Sequence, residues 1–332
     1  MKNLMNGAAV GRRALCVAAG ALLAGCAATG PGTAPVTAPV TDPVTDPVTV
    51  PANVLANEPV TAETAGANFA RPVVLAPDDV RAVAAPPAGF DAARPGVAQG
   101  AVTEFTYHSA VTGRERNAKV YLPPGYDPQR RYPVLYLLHG IGGNEHEWHW
   151  YVRAPAVLDN LMADGKVAPM IVVMPNGRAL ADDRAPSPER TFTQENASGF
   201  ALFEQDLLAS LIPAVERRYP VMAGREQRAI AGLSMGGGQA LNFGLGHPDT
   251  FGSVAGFSAA PNTNPARIAA PARLLYLSCG NKDGLINVSQ GLHRRLRQQG
   301  VPHVWHVDEY GHSRESWAEN LYHFAQLLFR PS

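Results

Sequence analysis

The pentapeptide Gly232-Leu233-Ser234-Met235-Gly236 sets a hydroxyl between two glycines. It comes directly after the apolar run Ala229-Ile230-Ala231 and directly before a stretch of helical character from Gly237 toward Gly246. A serine at such a strand-to-helix turn projects into a cleft, and glycine on either side avoids the clash that a side chain would bring. Because a serine hydroxyl is a weak nucleophile at neutral pH, it needs an imidazole to take its proton. A carboxylate must hold that imidazole in one tautomer. Asp283 follows the apolar run 274–277, in the loop Cys279-Gly280-Asn281-Lys282-Asp283-Gly284, and His312 lies past Trp305-His306-Val307 in Tyr310-Gly311-His312. Intervals of 49 and 29 residues between the three leave room for a strand and a helix in each gap. Ser234, Asp283 and His312 are therefore the candidate nucleophile, acid and base of an acyl-transfer site.

Other residues compete for these roles. His303 and His306 fall in a strand pattern, and His247 in Gly246-His247-Pro248 closes a helix. Asp308 and Glu309 rival Asp283 through their nearness to His312, whereas Asp206 reads as the polar face of a helix. A tetrahedral intermediate also needs N–H donors for its oxyanion. The amide after the nucleophile, that of Met235, is the first, and the loop Leu138-His139-Gly140-Ile141-Gly142-Gly143 points to Ile141 as the second, with His139 bracing the loop. In Asn144-Glu145-His146-Glu147-Trp148-His149-Trp150 the spacing of His146 and His149 is not the His-Glu-x-x-His pattern of a zinc site, so no metal is expected. Trp148, Trp150 and Trp317 offer flat apolar faces to a substrate, with core packing an equally good account of each. The polar stretch 176–199 is long for a connection and is expected to be a substrate loop.

The elements that must hold these groups are legible as periodicities. Residues 103–107 and 118–122 alternate like half-buried strands, and 134–138, 170–174, 229–231 and 274–277 are short apolar runs of the kind buried on both faces. Helical spacing links Phe203, Leu207, Leu208, Leu211, Ile212 and Val215, then Leu292 and Leu296, then Trp317, Leu321, Phe324 and Leu328. Strand and helix in alternation imply a mainly parallel central sheet with helices on both faces, an α/β architecture whose function sits at the carboxyl ends of the strands.

Ahead of this body the chain has another texture. Lys2, Arg12 and Arg13 precede the apolar run 14–24, too short to span a bilayer and laid out like a secretory signal. It ends in Leu23-Ala24-Gly25-Cys26, which resembles a lipobox, implying removal of residues 1–25, acylation of Cys26 and a lipid anchor in the cell envelope. Ala27, where aspartate would signal retention, favours the outer membrane by the same resemblance. Four tetrapeptides of the form x-Pro-Val-Thr fill residues 34–49, and proline at that spacing forbids helix and sheet. Extended as polyproline II, residues 31–51 would reach roughly 65 Å. Residues 26–97 as a whole are expected to be a linker, mostly disordered, with one segment able to pack on a catalytic domain of residues 98–332.

Composition narrows the partners. Lys+Arg and Asp+Glu number 28 each, so no charge excess points to nucleic acid or an anionic surface. Of three cysteines only Cys279 belongs to the body, which excludes a disulfide framework there and makes it a small buried hydrophobe. No cofactor is called for.

Taken together, Val120-Tyr121-Leu122-Pro123-Pro124-Gly125-Tyr126, Leu138-His139-Gly140, Asn176-Gly177, Ile212-Pro213, Gly232-Leu233-Ser234-Met235-Gly236-Gly237, Cys279-Gly280-Asn281-Lys282-Asp283 and Gly311-His312 resemble the feruloyl and acetyl-xylan esterases of carbohydrate esterase family 1, within the esterase D group. The resemblance covers about residues 98–330. It implies the α/β-hydrolase fold, Ser234, Asp283 and His312 as a triad, and hydrolysis of feruloyl or acetyl esters through an acyl-enzyme. Tyr310-Gly311 stands where many relatives carry two glycines. Acyl transfer or hydrolysis of siderophore or thiol esters is the alternative on the same fold. A surface binding protein on an inactive hydrolase scaffold is the alternative of another class.

Overall fold

The computed structural model describes residues 61–182, 184–261, 263–264 and 272–330. The expected signal peptide, Cys26 and the proline repeats lie outside the described residues. No helix among the described residues is long and apolar enough to cross a membrane.

Eight strands form one sheet: β1 (Ala101–Ser109), β2 (Arg114–Leu122), β3 (Val134–Leu138), β4 (Ile171–Pro175), β5 (Arg228–Leu233), β6 (Ser253–Phe257), β7 (Leu274–Gly280) and β8 (Val304–Asp308), in the order β1-β2-β4-β3-β5-β6-β7-β8. Only β2 runs against its neighbours. From β4 to the far edge every pairing is parallel. The central strands are apolar at every position because both faces are covered. In β3, Val134, Tyr136 and Leu138 feed one apolar layer while Leu135 and Leu137 feed the other.

Helices supply the two coats. On one face lie α3 (Gln194–Asp206), α4 (Ile212–Arg218), α5 (Ser234–Gly246) and α6 (Ile286–Gln298), through Phe203, Val215, Leu241, Leu292 and Leu296. The other is covered by α2 (Ala154–Ala163) and α7 (Arg314–Ala325), through Val157, Leu158, Leu161, Leu321 and Phe324. Each fully buried leucine or phenylalanine here is worth about 1.5–3 kcal/mol relative to exposure. A single π-helical turn, Leu207–Leu211, joins α3 to α4, so the long amphipathic run of the sequence is one continuous helical stretch. The strand β6 and the helix α2 carry no sequence signal as clear.

Of the stretch expected to be a linker with one segment able to pack on the domain, residues 61–97 are described, and they pack on it. Residues 61–97 are laid along the catalytic body as a strap that begins with α1 (Ala62–Ala70), whose first turn is closed by a reciprocal capping box between Thr61 and Thr64. The strap is fastened mainly by polar contacts. Gln290 donates to the carbonyl of Val74 and to Asp79, Trp305 Nε1 donates to Asp79, and the amide of Val307 donates to the Val80 carbonyl. Arg81 pairs with Glu319, and Asn160 donates to the carbonyls of Phe90 and Ala92. Apolar periodicity cannot announce such a segment, because among its residues only Phe90 packs against an apolar layer and most of its fastening comes from polar groups elsewhere in the chain.

Candidate active site

Ser234 opens α5 immediately after β5, and its φ is +52°, a left-handed conformation that costs a non-glycine residue of order 1–3 kcal/mol. The flanking glycines make the turn possible. A Cβ on Gly232 would lie 2.2 Å from the Gly236 carbonyl oxygen, and one on Gly236 would lie 2.4 Å and 2.5 Å from the carbonyl oxygens of Leu138 and His139. The end of β3 is thereby brought against the start of α5, so the serine and the loop after β3 meet by backbone contact alone.

The structure brings the three candidates together. His312 Nε2 is 3.0 Å from Ser234 Oγ, and His312 Nδ1 is 2.8 Å from Asp283 Oδ2. Asp283 is fully buried in the loop after β7, and its other oxygen accepts from the Leu285 amide at 2.8 Å. Burial pushes its pKa up, but the charge and hydrogen bond of His312, the Leu285 amide and the Ser258 hydroxyl outweigh that and hold the carboxyl below its ordinary value. The loops carrying acid and base are pinned to each other. Amides of Asn281 and Lys282 donate to the carbonyls of Asp308 and Tyr310. Asp308, the rival acid, instead accepts from Ser316 Oγ, Asn320 Nδ2 and the Tyr310 amide, tying α7 to β8, and Glu309 pairs with Arg81 at 3.6 Å.

The loop after β3 is held from several sides. His139 is fully buried; burial and the nearby Arg178 charge push its pKa down to about 3, so the ring is neutral. Its Nε2 accepts from the Gly177 amide at 2.7 Å, which leaves Nδ1–H to donate to the Gly140 carbonyl, also at 2.7 Å. Fixing that carbonyl fixes the peptide plane whose other end is the Ile141 N–H. Glu147 accepts from the Gly140 amide, Arg178 donates to the Gly143 carbonyl, and Asn196 donates to the Ile141 carbonyl. Ile141 and Met235, the two expected donors, share a small apolar cluster with Phe200 and Ala260. Behind Gly177 stands a buried pair: Arg116 binds Asp206 and donates to the carbonyls of Asn176 and Arg178. Asp206 is thus no surface residue of a helix. Glu147, Arg178 and Asn196 escaped the sequence reading, and only their place in or beside the loop stretches 139–150 and 176–199 could have flagged them. That second stretch also borders a cavity of about 260 Å³ lined in part by Arg178, Arg184, Arg190 and Asn196.

The tryptophans divide. Trp148 is a correction: it is buried, donates from Nε1 to the Leu138 carbonyl and packs on Phe257, so it belongs to the core. Trp150 is exposed and stacks on His146 with the Lys119 ammonium over its ring; none of its ring contacts among the described residues reaches the triad. Trp317 does, edge-on to His312 at 5.1 Å between ring centroids. A ring not anticipated from sequence, Phe69 of α1, meets the same imidazole at 5.1 Å.

Among the described residues one group has ligand spacing for a metal: His306, Glu319 and His323, their atoms within 4.8 Å of one another. The protonation pattern argues against a cation there. His306 Nδ1 accepts from the Ala82 amide, so the proton is on Nε2, facing Glu319, and the Arg81 guanidinium already neutralises that carboxylate. These contacts hold the Glu319 carboxyl at about 2 despite burial, and the cluster fastens the strap through Arg81 and the Ala82 amide.

With a hydroxyl, an imidazole and a buried carboxylate in line beside a braced loop of amides, the site is equipped for nucleophilic acyl chemistry. Comparison with known proteins agrees. An endo-1,4-beta-xylanase/feruloyl esterase of Xylanibacter ruminicola is 34% identical over 249 residues, which is 73% of this chain and 33% of that protein. The endo-1,4-beta-xylanase Y of Acetivibrio thermocellus is 32% identical over 149 residues, 42% of this chain and 12% of that protein. This chain therefore spans a third or less of the length of these curated relatives. A ferulic acid esterase from Anaeromyces mucronatus, solved with ferulic acid, superposes with a TM-score of 0.67 at 27% identity, covering 74% of this chain and 96% of that one. The Esterase family model matches residues 109–320, well over half of the sequence and all of the triad, and the chain belongs to that family.

Proposed function

We propose that this protein is a serine carboxylic-ester hydrolase acting through an acyl-enzyme. The observation that carries the reading is the relay from Ser234 Oγ through His312 to Asp283, at 3.0 and 2.8 Å, built on a serine held at positive φ. In this reading His312 Nε2 takes the proton as Ser234 Oγ bonds to the ester carbonyl carbon. The charge that develops on the carbonyl oxygen is met by the amides of Ile141 and Met235, each worth about 2.7–4 kcal/mol of transition-state stabilisation. His312 then hands its proton to the departing alkoxide, the C–O bond breaks, and water repeats the sequence on the acyl-enzyme. Asp283 stays ionised throughout and holds the imidazole with Nδ1 protonated. No cofactor enters any step.

For the substrate we propose feruloyl or acetyl esters of plant polysaccharide, or small esters like them. Support comes from one relative whose name includes feruloyl esterase and a solved structure named as a ferulic acid esterase. A panel of acetyl, feruloyl and plain alkyl esters, read beside fluorophosphonate labelling of Ser234, tests both levels. Labelling with hydrolysis of feruloyl or acetyl esters is expected; an unlabelled protein inert on the whole panel overturns the reading. Added alcohol acceptors would divert the acyl group if the enzyme were a transferase. The leader and Cys26 support a second proposal, export and lipid anchoring in the cell envelope, favouring the outer membrane. A Cys26→Ser variant is expected to leave the membrane fraction, and full retention there would refute the anchor.

A further inference from the structure

Phe69 stands at the end of α1, in the strap and outside the matched family region 109–320. Its backbone is pressed on the acid loop so closely that a Cβ on Gly284 would lie 2.5 Å from the Phe69 Cα. The ring meets His312 at 5.1 Å and 75° between planes, yet 44% of the residue is open to solvent. It is therefore an aromatic surface that touches the base on one side and is free to touch a ligand with the rest.

Which half of an ester would lie there depends on the proton's path, and here the inference rests on the ester-hydrolase reading. When Ser234 Oγ bonds to the acyl carbon, its proton moves to His312 Nε2. As the ester C–O bond breaks, that proton passes to the alkoxide oxygen, and the alcohol departs beside the imidazole. The acyl carbonyl oxygen points to the other set of residues, the amides of Ile141 and Met235, whose side chains cluster with Phe200 and Ala260 rather than with Phe69. We propose that Phe69 is a specificity-determining residue for the alcohol half of the ester, an aromatic platform on which the C–H face of a sugar ring rests. An uncharged, flat, apolar surface suits a sugar's C–H face, and such aromatic contacts contribute on the order of a few-fold to tenfold in binding. The strap does not depend on this ring for its place. Pro72 and Val74 carbonyls accept from Asn287 and Gln290, and Arg81 pairs with Glu319, so the platform can be removed while the segment stays docked.

The test uses the full chain and two esters with one acyl group, methyl ferulate and feruloyl arabinofuranose. Phe69→Ala and Phe69→Leu are expected to lower kcat/KM on the sugar ester about tenfold more than on the methyl ester, chiefly through KM. Phe69→Trp is expected to keep the sugar preference. Equal losses on both esters, or none, would overturn the proposal, as would a wild-type enzyme that labels with fluorophosphonate yet has no preference for the sugar ester. A wild-type chain that neither labels at Ser234 nor hydrolyses either ester would sink the hydrolase reading itself. Melting temperatures of the variants separate a lost platform from a lost fold.

Discussion

The nucleophile turn and the N-terminal strap both reach the imidazole of His312, by opposite means. At the turn, everything is local and steric: Gly232, Ser234 and Gly236 lie within five residues, and each glycine is dictated by a carbonyl oxygen closer than 2.5 Å to where a Cβ would be. In the strap, α1 closes on a capping box, but residues 71–97 form neither strand nor helix and are held by Gln290, Trp305, Glu319 and Asn160, all far away in sequence. Tight backbone approach leaves a compositional mark. Docking by scattered polar contacts does not.

Substitutions can push the two regions apart or show them to be less different. Ser234→Ala should cost about 10⁶-fold in kcat while leaving the melting temperature in place, since the side chain is used for chemistry. Asp283→Asn should cost about 10⁴-fold by favouring the wrong imidazole tautomer. Asp308→Asn, by contrast, should mainly lower the melting temperature, because that carboxylate ties Ser316 and Asn320 of α7 to β8. Equal kinetic losses in the two variants would break the assignment of the acid. Gly236→Ala is expected to lose more than about 4 kcal/mol of stability, or the fold, since its methyl would lie 2.4 Å from the Leu138 carbonyl oxygen.

Effects in the strap should be smaller and dependent on pH. Glu319 has its carboxyl at about 2 in the folded protein against an ordinary value of 4.5. Its contribution is therefore complete above about pH 4.5 and is lost as pH falls from there toward 2. Protection factors across residues 74–83, taken against the intrinsic exchange rate at each pH, should fall over that window in the native chain. In Glu319→Gln protection should already be low at neutral pH and change little on acidification. A native chain whose strap keeps full protection at pH 2.5 would refute the role of this cluster. Smallest of all, Gly66→Ala lies mid-helix in α1 with nothing within 4 Å of the new methyl, and should raise stability by about 0.5–1 kcal/mol by unfolding scans. A destabilising result would mean that α1 is packed more like the turn than like the strap.

Much of the site was legible from residue types. Ser234, Asp283 and His312 follow apolar runs that become β5, β7 and β8, and the His139 loop follows β3, all at the carboxyl ends of parallel strands. Three readings needed the fold. Asp206 reads as the polar face of a helix but is buried, where Arg116 pairs with it and the Tyr107 hydroxyl donates to it. Trp148 stands in a polar string and still enters the core, since the π-helical turn Glu147–Tyr151 points one of its tryptophans in and leaves another out. Phe69 is one apolar residue in an alanine-rich stretch, with no periodic partner to mark it.

What the amino-acid order determined alone is whatever depends on near neighbours: the alternation that makes strands, the spacing that makes amphipathic helices, and the glycines that let a serine sit at positive φ. Tertiary structure decided which acid faces His312, which carbonyls orient the Ile141 amide, and that a segment more than 200 residues upstream lays an aromatic ring on the imidazole. The division has one cause. Backbone sterics act over a few residues and so are written in sequence, whereas a hydrogen bond or ring contact between distant segments exists only once the sheet has brought them to the same place.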